Sequence, residues 1–374
     1  MNRNLTLKSF QLTGIVQRCK ESCGIFYCLL TLRVTGWVPL ISRRSILMLV
    51  VCLLPTALLT ADERSDQGQL KVSIIDGEWV DFDRQGRVIP WKLYLPELSS
   101  GRAPLVIHSH GGGGSRNGNS VLGHHLATYG FASLHIQHPG TDSQAVRRKP
   151  QSIVDAANDP VKAADRFRDV GFVVKQLKET SASDPVLKMI NADLIGISGH
   201  SLGGITSQVI AGQKIAGFDQ TLAIPSLKGA FVLSSSPPRA GFGHVDQAID
   251  SLLMPIFFLT GTADSAPDKS FTAADRQIPF HKSHGVDRWL LVIDGATHFT
   301  FSGNETVPRT TRFVPGMEAD PNLRRNHDYL KAAAVAFWQF TLNEDQAAFE
   351  YLTEGGLKRF VGEHGTVDFA PATK

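Results

Sequence analysis

The sequence predicts an α/β protein with a mostly parallel central sheet, antiparallel strands at its N-terminal end and helices on both faces. Short apolar runs alternate with segments of helical periodicity along most of the chain. The runs are apolar on both faces, which is typical of parallel strands covered by helices. No repeat and no low-complexity linker interrupts residues 62–374, so we predict that they form a single domain.

The predicted elements follow in chain order, beginning with three strands of which the last is closed by Pro96. The predicted strands are 70–75, 79–82, 88–95, 104–109, 131–136, 193–198, 229–234, 256–260 and 289–293. The predicted helices are 118–129, 160–178, 202–211, a stretch near 269–281, and 328–342. Reactive groups in such a sheet are expected at the carboxyl ends of the strands.

Residues 1–61 are predicted to be a leader with a signal peptide over about 43–61. Two arginines precede an apolar run over residues 46–59, and the small residue Ala61 follows before a polar segment. We therefore expect export to the periplasm or the medium, with cleavage near Ala61. Because the run is shorter than the about 20 residues of a membrane span, an uncleaved N-terminal anchor is only the alternative, and no stable span is expected in the mature protein.

Charge and cysteine usage exclude several classes of function. Seven of the 38 Lys and Arg but one of the 35 acidic residues lie in the leader, so the body is net negative although the chain carries +3. A nucleic-acid-binding domain would carry a basic excess of its own. All four cysteines lie within the first 52 residues, which excludes a cysteine nucleophile or a disulfide in the body. Cys19, Cys23 and Cys28 lack a following pair at metal-ligand spacing.

The predicted chemistry begins at Ser201. The strand over 193–198 leads into Gly199-His200-Ser201-Leu202-Gly203, and an apolar helix follows. This is the G-x-S-x-G pattern in the strand–turn–helix setting that exposes a nucleophilic serine. Side chains at Gly199 or Gly203 would collide with the neighbouring strand and helix. The alternative is a serine that only caps the helix.

Asp264 and His298 are predicted to complete a triad with Ser201. A serine hydroxyl needs a base to take its proton and an acid to orient that base. Asp264 lies just past the strand 256–260, and His298 lies just past the strand 289–293. Their order along the chain, serine then acid then histidine, fits a triad built at the strand ends of such a sheet.

Other acids and histidines fit these roles less well. Asp268 lies farther from the strand, beyond Pro267, and Asp294 precedes the turn at Gly295. The remaining candidates lie on helical or loop segments that no strand precedes: His281, His284 and His327. Asp264 and His298 are therefore the predicted acid and base.

A glycine-rich segment, His110-Gly111-Gly112-Gly113-Gly114, follows the predicted strand 104–109 and is called the glycine loop below. Glycines let backbone N–H groups approach a substrate oxygen closely. We predict that the N–H groups of Gly112 and Leu202 form an oxyanion hole, with Gly111 as the alternative donor in the loop. A phosphate-binding loop would require a lysine that is absent here. His110 is expected to hold the loop by hydrogen bonding.

No metal and no cofactor are predicted. Four histidines lie close together in the sequence: His108, His110, His124 and His125. The adjacent pair at 124 and 125 would point in different directions on a helix, and no carboxylate completes a site at helical spacing.

Together these motifs resemble the α/β-hydrolase superfamily. They are His110-Gly-Gly-Gly, His138-Pro-Gly-Thr-Asp142, Gly199-His-Ser-Leu-Gly-Gly, Thr260-Gly-Thr-Ala-Asp264 and Gly295-Ala-Thr-His298. The resemblance spans roughly residues 70–342 and is strongest to the dienelactone-hydrolase-like serine esterases, a group with platelet-activating-factor acetylhydrolases, chlorophyllases and cutinase-like polyester hydrolases. It implies that Ser201 is the nucleophile, His298 the base and Asp264 the orienting acid. True dienelactone hydrolases carry cysteine where this sequence has the serine of the G-x-S-x-G turn, so the serine here favours ordinary ester hydrolysis.

The resemblance implies hydrolysis of a small-molecule or polymeric carboxylic ester through an acyl-enzyme. An amidase or peptidase uses the same chemistry, and a non-catalytic ligand-binding protein can share the fold, so both are kept as alternatives. Residues 141–159 form a long segment that is expected to overhang the site. Its basic residues Arg147, Arg148 and Lys149 would face either an anionic substrate or solvent.

Overall fold

The computed structural model describes residues 62–218, 222–234, 236–303 and 318–373. The predicted leader, with its signal peptide and its cleavage point, lies outside these residues. Within the described part, no helix combines the length and the hydropathy that crossing a membrane requires. The described residues all belong to one compact unit.

Strands and helices alternate through most of the described chain. The strands are β1 Val72–Asp81, β2 Arg87–Pro96, β3 Ala103–Ser109, β4 Ala132–Ile136, β5 Ile190–His200, β6 Ala230–Leu233, β7 Ile256–Ala263, β8 Arg288–Thr297 and β9 Gly365–Ala370. The helices are α1 Ser120–Thr128, α2 Ser143–Arg148, α3 Gln151–Asn158, α4 Pro160–Thr180, α5 Leu202–Ile210, α6 Val245–Ala248, α7 Ile278–Lys282, α8 Leu323–Asn343, α9 Gln346–Thr353 and α10 Gly356–Val361. A short 3₁₀ helix at Asp275–Gln277 precedes α7.

The strands form one mixed sheet in the order β1-β2-β4-β3-β5-β6-β7-β8-β9. Neighbours from β4 to β8 pair in parallel, whereas β1 and β2 at one edge and β9 at the other pair antiparallel. The predicted α/β class with a mostly parallel sheet is therefore confirmed. In such a sheet the carboxyl ends of the parallel strands meet at one edge, which is where the candidate site lies.

Two apolar cores cover the two faces of the sheet. Alternate residues of the central strands enter different cores, so that Ile256 and Phe258 of β7 face one while Phe257 and Leu259 face the other. Helix α4 packs in the first core, and α1 and α8 pack in the second. The period of two along each strand therefore buries both faces under helices, as the sequence predicts.

The first two predicted strands are one continuous strand, β1. Gly77 falls in the predicted gap between them, but it pairs with Trp91 of β2. A Cβ on Gly77 would lie 2.1 Å from the Trp91 ring, so the glycine makes room for a cross-strand side chain. The prediction of two short strands was wrong because this glycine serves close packing.

Other boundaries also differ from the prediction. The overhanging segment 141–159 contains two helices, α2 and α3, and the helix expected near 269–281 is confined to Asp275–Gln277 and α7. Strand β8 continues past its predicted end at residue 293 to Thr297. Helices α9 and α10 and the edge strand β9 follow α8 and were not predicted.

Candidate active site

Ser201 lies in the sharp turn between β5 and α5. Its backbone has φ +57° and ψ −118°, a conformation that residues with a side chain rarely adopt. The Ser201 N–H donates to the carbonyl oxygen of Leu233 at 3.0 Å, which anchors the turn to β6. A Cβ on Gly199 would lie 2.2 Å from the oxygen of Gly203, and one on Gly203 would lie 1.9 Å from the oxygen of Ser109. Both glycines are therefore required for the turn to fit against the helix and β3.

Ser201, His298 and Asp264 meet at the carboxyl edge of the sheet. His298 Nε2 lies 3.0 Å from Ser201 Oγ, and His298 Nδ1 lies 2.8 Å from Asp264 Oδ1. Asp264 and His298 are buried, and Ser201 is partly accessible. Strands β5, β7 and β8 each end next to one of the three residues. Two hydrogen bonds thus join pairs of residues that are 97 and 34 positions apart along the chain.

The protonation states follow from the hydrogen bonds. An ionised carboxylate only accepts, so Nδ1 of His298 carries the proton and Nε2 can accept from the serine hydroxyl. Burial opposes ionisation of Asp264, but the charges of Arg276 and His298 outweigh it and lower the pKa to about 2. Burial, assisted by Arg276 and opposed by Asp264, lowers the pKa of His298 below its usual value. At neutral pH the pair is therefore a carboxylate beside a neutral imidazole.

Arg276, on the 3₁₀ helix Asp275–Gln277, is a buried contact of both Asp264 and His298. Its Nε lies 2.9 Å from Asp264 Oδ1 and donates to the Asp264 carbonyl oxygen at 2.6 Å. Nη1 donates to the Ser234 carbonyl and to Ser236 Oγ at 2.8 and 2.9 Å. Nη2 lies 3.1 Å from His298 Nδ1, and because both atoms carry protons this contact is a close approach of two donors. Sequence reasoning missed Arg276, since no motif surrounds it.

The glycine loop lies beside Ser201. A Cβ on Gly111 would be 3.4 Å from the Cβ of Ser201. The Gly113 N–H donates to the Thr141 carbonyl oxygen at 2.8 Å, and the Gly114 N–H donates to the Gly111 carbonyl oxygen at 3.1 Å. The N–H groups of the three predicted oxyanion donors make no hydrogen bond to another described residue: Gly111, Gly112 and Leu202.

His110 holds the glycine loop by hydrogen bonding, as predicted. Its Nδ1 donates to the Gly111 carbonyl at 2.6 Å, and its Nε2 accepts from the His138 N–H at 3.0 Å. Burial lowers the pKa of His110 well below its usual value. The ring is therefore neutral, with its proton on Nδ1.

Arg166 of α4 also holds the glycine loop by hydrogen bonding, and sequence reasoning missed this residue too. It is buried, and its Nη2 donates to the His110 carbonyl at 2.5 Å and to Ser109 Oγ at 3.0 Å. Its Nη1 and Nε donate to the hydroxyls of Thr141 and Thr206 at 2.6 and 3.2 Å. The guanidinium thus joins the end of β3, the segment after β4 and helix α5.

The competing acids and histidines are engaged elsewhere. Asp268 pairs with Arg239 at 3.0 Å, and Asp294 is exposed. His281 and His284 are exposed, and His327 bonds the Thr300 carbonyl at 2.9 Å. None of them contacts Ser201 in the described structure.

The histidine-rich segment does not form a metal site in the described residues. His108 bonds Ser198 Oγ at 3.1 Å, and His125 bonds the Arg64 carbonyl at 2.8 Å. Across the described ranges, no group of three or more His, Cys, Asp or Glu side chains is arranged to hold a metal ion.

A cavity of about 480 Å³ opens onto Ser201 and His298. The overhanging segment forms part of its wall through Ile153, Val154 and Ala157 of α3. Its basic residues Arg147, Arg148 and Lys149 are exposed and do not line the cavity. Of the two alternatives for these residues, the structure favours solvent.

No protein-family model matches this chain, and no curated protein matches it.

Proposed function

We propose that this protein is a serine hydrolase of the α/β-hydrolase superfamily that cleaves carboxylic esters. The observation that carries the proposal is the pair of hydrogen bonds from Ser201 to His298 and from His298 to Asp264, at 3.0 and 2.8 Å. The strained turn at Ser201 adds support, as do the neighbouring N–H groups of Gly111, Gly112 and Leu202, which donate to no described residue. The motif resemblance to dienelactone-hydrolase-like esterases is consistent with the same activity.

In the proposed acylation step, Ser201 Oγ attacks the ester carbonyl carbon while His298 Nε2 takes the hydroxyl proton. The resulting oxyanion accepts hydrogen bonds from the N–H groups of Gly112 and Leu202. The bond to the alcohol oxygen then breaks, and His298 returns the proton to that oxygen. Asp264 stays ionised and stabilises the imidazolium, and each oxyanion donor contributes about 2.7–4 kcal/mol to the transition state.

In the proposed deacylation step, a water molecule replaces the alcohol. His298 Nε2 takes a proton from the water, whose oxygen attacks the acyl carbon on Ser201. A second oxyanion forms in the same place, and its collapse releases the carboxylic acid and restores the serine hydroxyl. The same three side chains thus serve both halves of the reaction.

The proposal is tested with a fluorophosphonate probe and p-nitrophenyl esters, comparing wild type, Ser201→Ala and Ser183→Ala. The exposed Ser183, which bonds the Thr180 carbonyl, is the matched control. We expect Ser201→Ala to lose labelling and about 10⁶-fold in kcat, as triads do without their nucleophile. Labelling and turnover that survive in Ser201→Ala would place the nucleophile elsewhere. A matching p-nitroanilide hydrolysed as fast as the ester would favour an amidase.

We also propose that the protein is exported, because the basic, apolar and small-residue pattern before residue 62 fits a secretory signal. The N-terminus of protein recovered outside the cytoplasm is determined by mass spectrometry. A start close to Asp62 supports cleavage near Ala61. An intact Met1 on the exported protein contradicts it.

A further inference from the structure

Helix α3 lies directly over the glycine loop. Cγ2 of Ile153 is 2.4 Å from the position that a Cβ on Gly112 would occupy, and its Cδ1 is 3.2 Å from that of Gly113. The Ile153 side chain therefore packs on the backbone whose N–H group is proposed to receive the ester carbonyl oxygen. Ile153 also lines the cavity that opens onto Ser201, so a group attached to that carbonyl can contact it there.

The rest of the cavity wall is mainly apolar. Its volume of about 480 Å³ lies within the range of small-molecule sites, about 300–1,000 Å³. Apart from Ile153, apolar residues from α3, α5 and the segment after β7 line it: Ala157, Leu202, Ile205, Ala266, Pro267 and Phe271. Such a wall favours an apolar substrate group.

The charged side chains at the cavity are already paired. Arg239 Nη1 donates to Asp268 Oδ2 and to Asn158 Oδ1, each at 3.0 Å, and its guanidinium lies over the Phe271 ring. Arg276, the other cation in the wall, lies 2.9 Å from Asp264 Oδ1. Each cation is balanced by a carboxylate, so an anionic substrate would lose hydration without gaining an unpaired cation.

We propose that the site takes uncharged esters with an apolar group beneath α3, and that Ile153 limits the size of that group. This inference rests on the proposed ester hydrolysis and specifies its substrate class. One methylene in an apolar pocket changes discrimination by about 10–200-fold, so the residue that closes the pocket has a measurable effect on chain-length preference.

The charge preference is tested with p-nitrophenyl hexanoate and mono-p-nitrophenyl adipate, which have the same chain length and differ in a terminal carboxylate. We expect the hexanoate to have at least a tenfold higher kcat/KM at neutral pH. A preference for the adipate would overturn the inference about charge.

The role of Ile153 is tested with two ester series, one varying the acyl chain and one varying the alcohol of an acetate. We expect Ile153→Ala to move the optimum in one series to longer chains and Ile153→Trp to move it to shorter ones. The ratio of long-chain to short-chain kcat/KM should differ at least tenfold between the variants. Val161→Ala is the control. Val161 lies at the start of α4, the next helix in the chain, is 72% exposed and does not line the cavity.

Ile153→Val supplies a milder truncation if Ile153→Ala does not fold. The inference would be overturned if folded Ile153 variants had the same chain-length ratios as the wild type in both series. The proposed ester hydrolysis would still stand in that case, because the wild type would still hydrolyse esters. A wild type that neither reacts with fluorophosphonate nor hydrolyses any ester would instead contradict the proposed function itself.

Discussion

A buried guanidinium beside the proposed catalytic imidazole has two opposite effects at the scale of single residues. Arg276 keeps Asp264 ionised and fixes the orientation of its carboxylate through a 2.9 Å contact. The same positive charge, 3.1 Å from His298 Nδ1, disfavours the imidazolium and lowers the pKa of His298. Asp264 acts in the opposite direction, and His200 packs against the His298 ring at 4.7 Å. The proposed base therefore stays neutral to a lower pH than an ordinary histidine does.

We predict that Arg276→Gln moves the acid limb of the pH profile of kcat/KM to higher pH. Removing the cation raises the pKa of His298, because a neighbouring positive charge disfavours the imidazolium. The plateau should also fall, because Asp264 loses a positioning contact. The rate of p-nitrophenyl ester hydrolysis is measured from pH 4.5 to 9.

Arg276→Lys is the matched variant for this prediction. It keeps the positive charge but loses the planar fork, so the plateau should fall while the acid limb stays near its wild-type position. An acid limb that does not move in active Arg276→Gln would show that Arg276 has no effect on the base.

The sequence predicts some of these residues and misses others for a physical reason. Ser201, Asp264 and His298 each follow a strand end, so a local pattern is enough to find them. Arg276 and Arg166 act through contacts that the tertiary fold creates, at no fixed spacing from the triad. Arginine is rarely buried, and nothing in either segment indicates that these two are 2% and 1% exposed.

At the scale of elements, glycine is the residue that sequence reasoning interprets least well. The pair Asp294-Gly295 suggested the end of a strand, yet β8 continues to Thr297 with Gly295 at φ +71°. Opposite it, the register of β7 shifts between Gly261 and Ala263, and a Cβ on Gly261 would lie 2.2 Å from the Ala296 oxygen. Gly261 and Gly295 thus lie in an irregular stretch of the β7–β8 pairing, through which β8 continues. Only the contact between the two strands shows that Gly295 does not end β8 in a turn.

We predict that the sharp turn between β5 and α5 tolerates no side chain at Gly203. A Cβ there would lie 1.9 Å from a backbone oxygen of β3, so Gly203→Ala should reduce the free energy of unfolding by about 3 kcal/mol or more. Gly171→Ala in α4 is the matched control, because a Cβ there meets nothing within 4 Å. It should stabilise the protein by about 0.5–1 kcal/mol, since alanine favours a helix interior. Urea unfolding measures both, and a wild-type midpoint for Gly203→Ala would contradict the steric argument.

At the scale of the whole molecule, the carboxyl edge of the sheet contains a buried group of neutral histidines. The rings lie in pairs, with centroids 4.7 Å apart for His108 and His135 and 5.3 Å apart for His110 and His138. Burial is the main cause that lowers the pKa of each, to about 4 for His135 and His138. The folded state therefore favours the unprotonated form of these side chains.

We predict that the protein loses stability as the pH falls from about 6.5 towards 4. In the unfolded chain these histidines titrate near pH 6.5. Between that value and the lowered pKa of the folded state, the unfolded chain binds more protons, so the free energy of unfolding falls with pH; above pH 6.5 the histidines add no dependence. Each buried histidine contributes about 1.4 kcal/mol per pH unit in this window.

Urea unfolding at pH 7.5, 6.0 and 5.0 measures the slope of the free energy of unfolding against pH. His135→Gln should reduce that slope by the contribution of about one proton. Equal stability at pH 7.5 and pH 5.0 would mean that the histidines are protonated without unfolding, and that their burial does not hold them neutral.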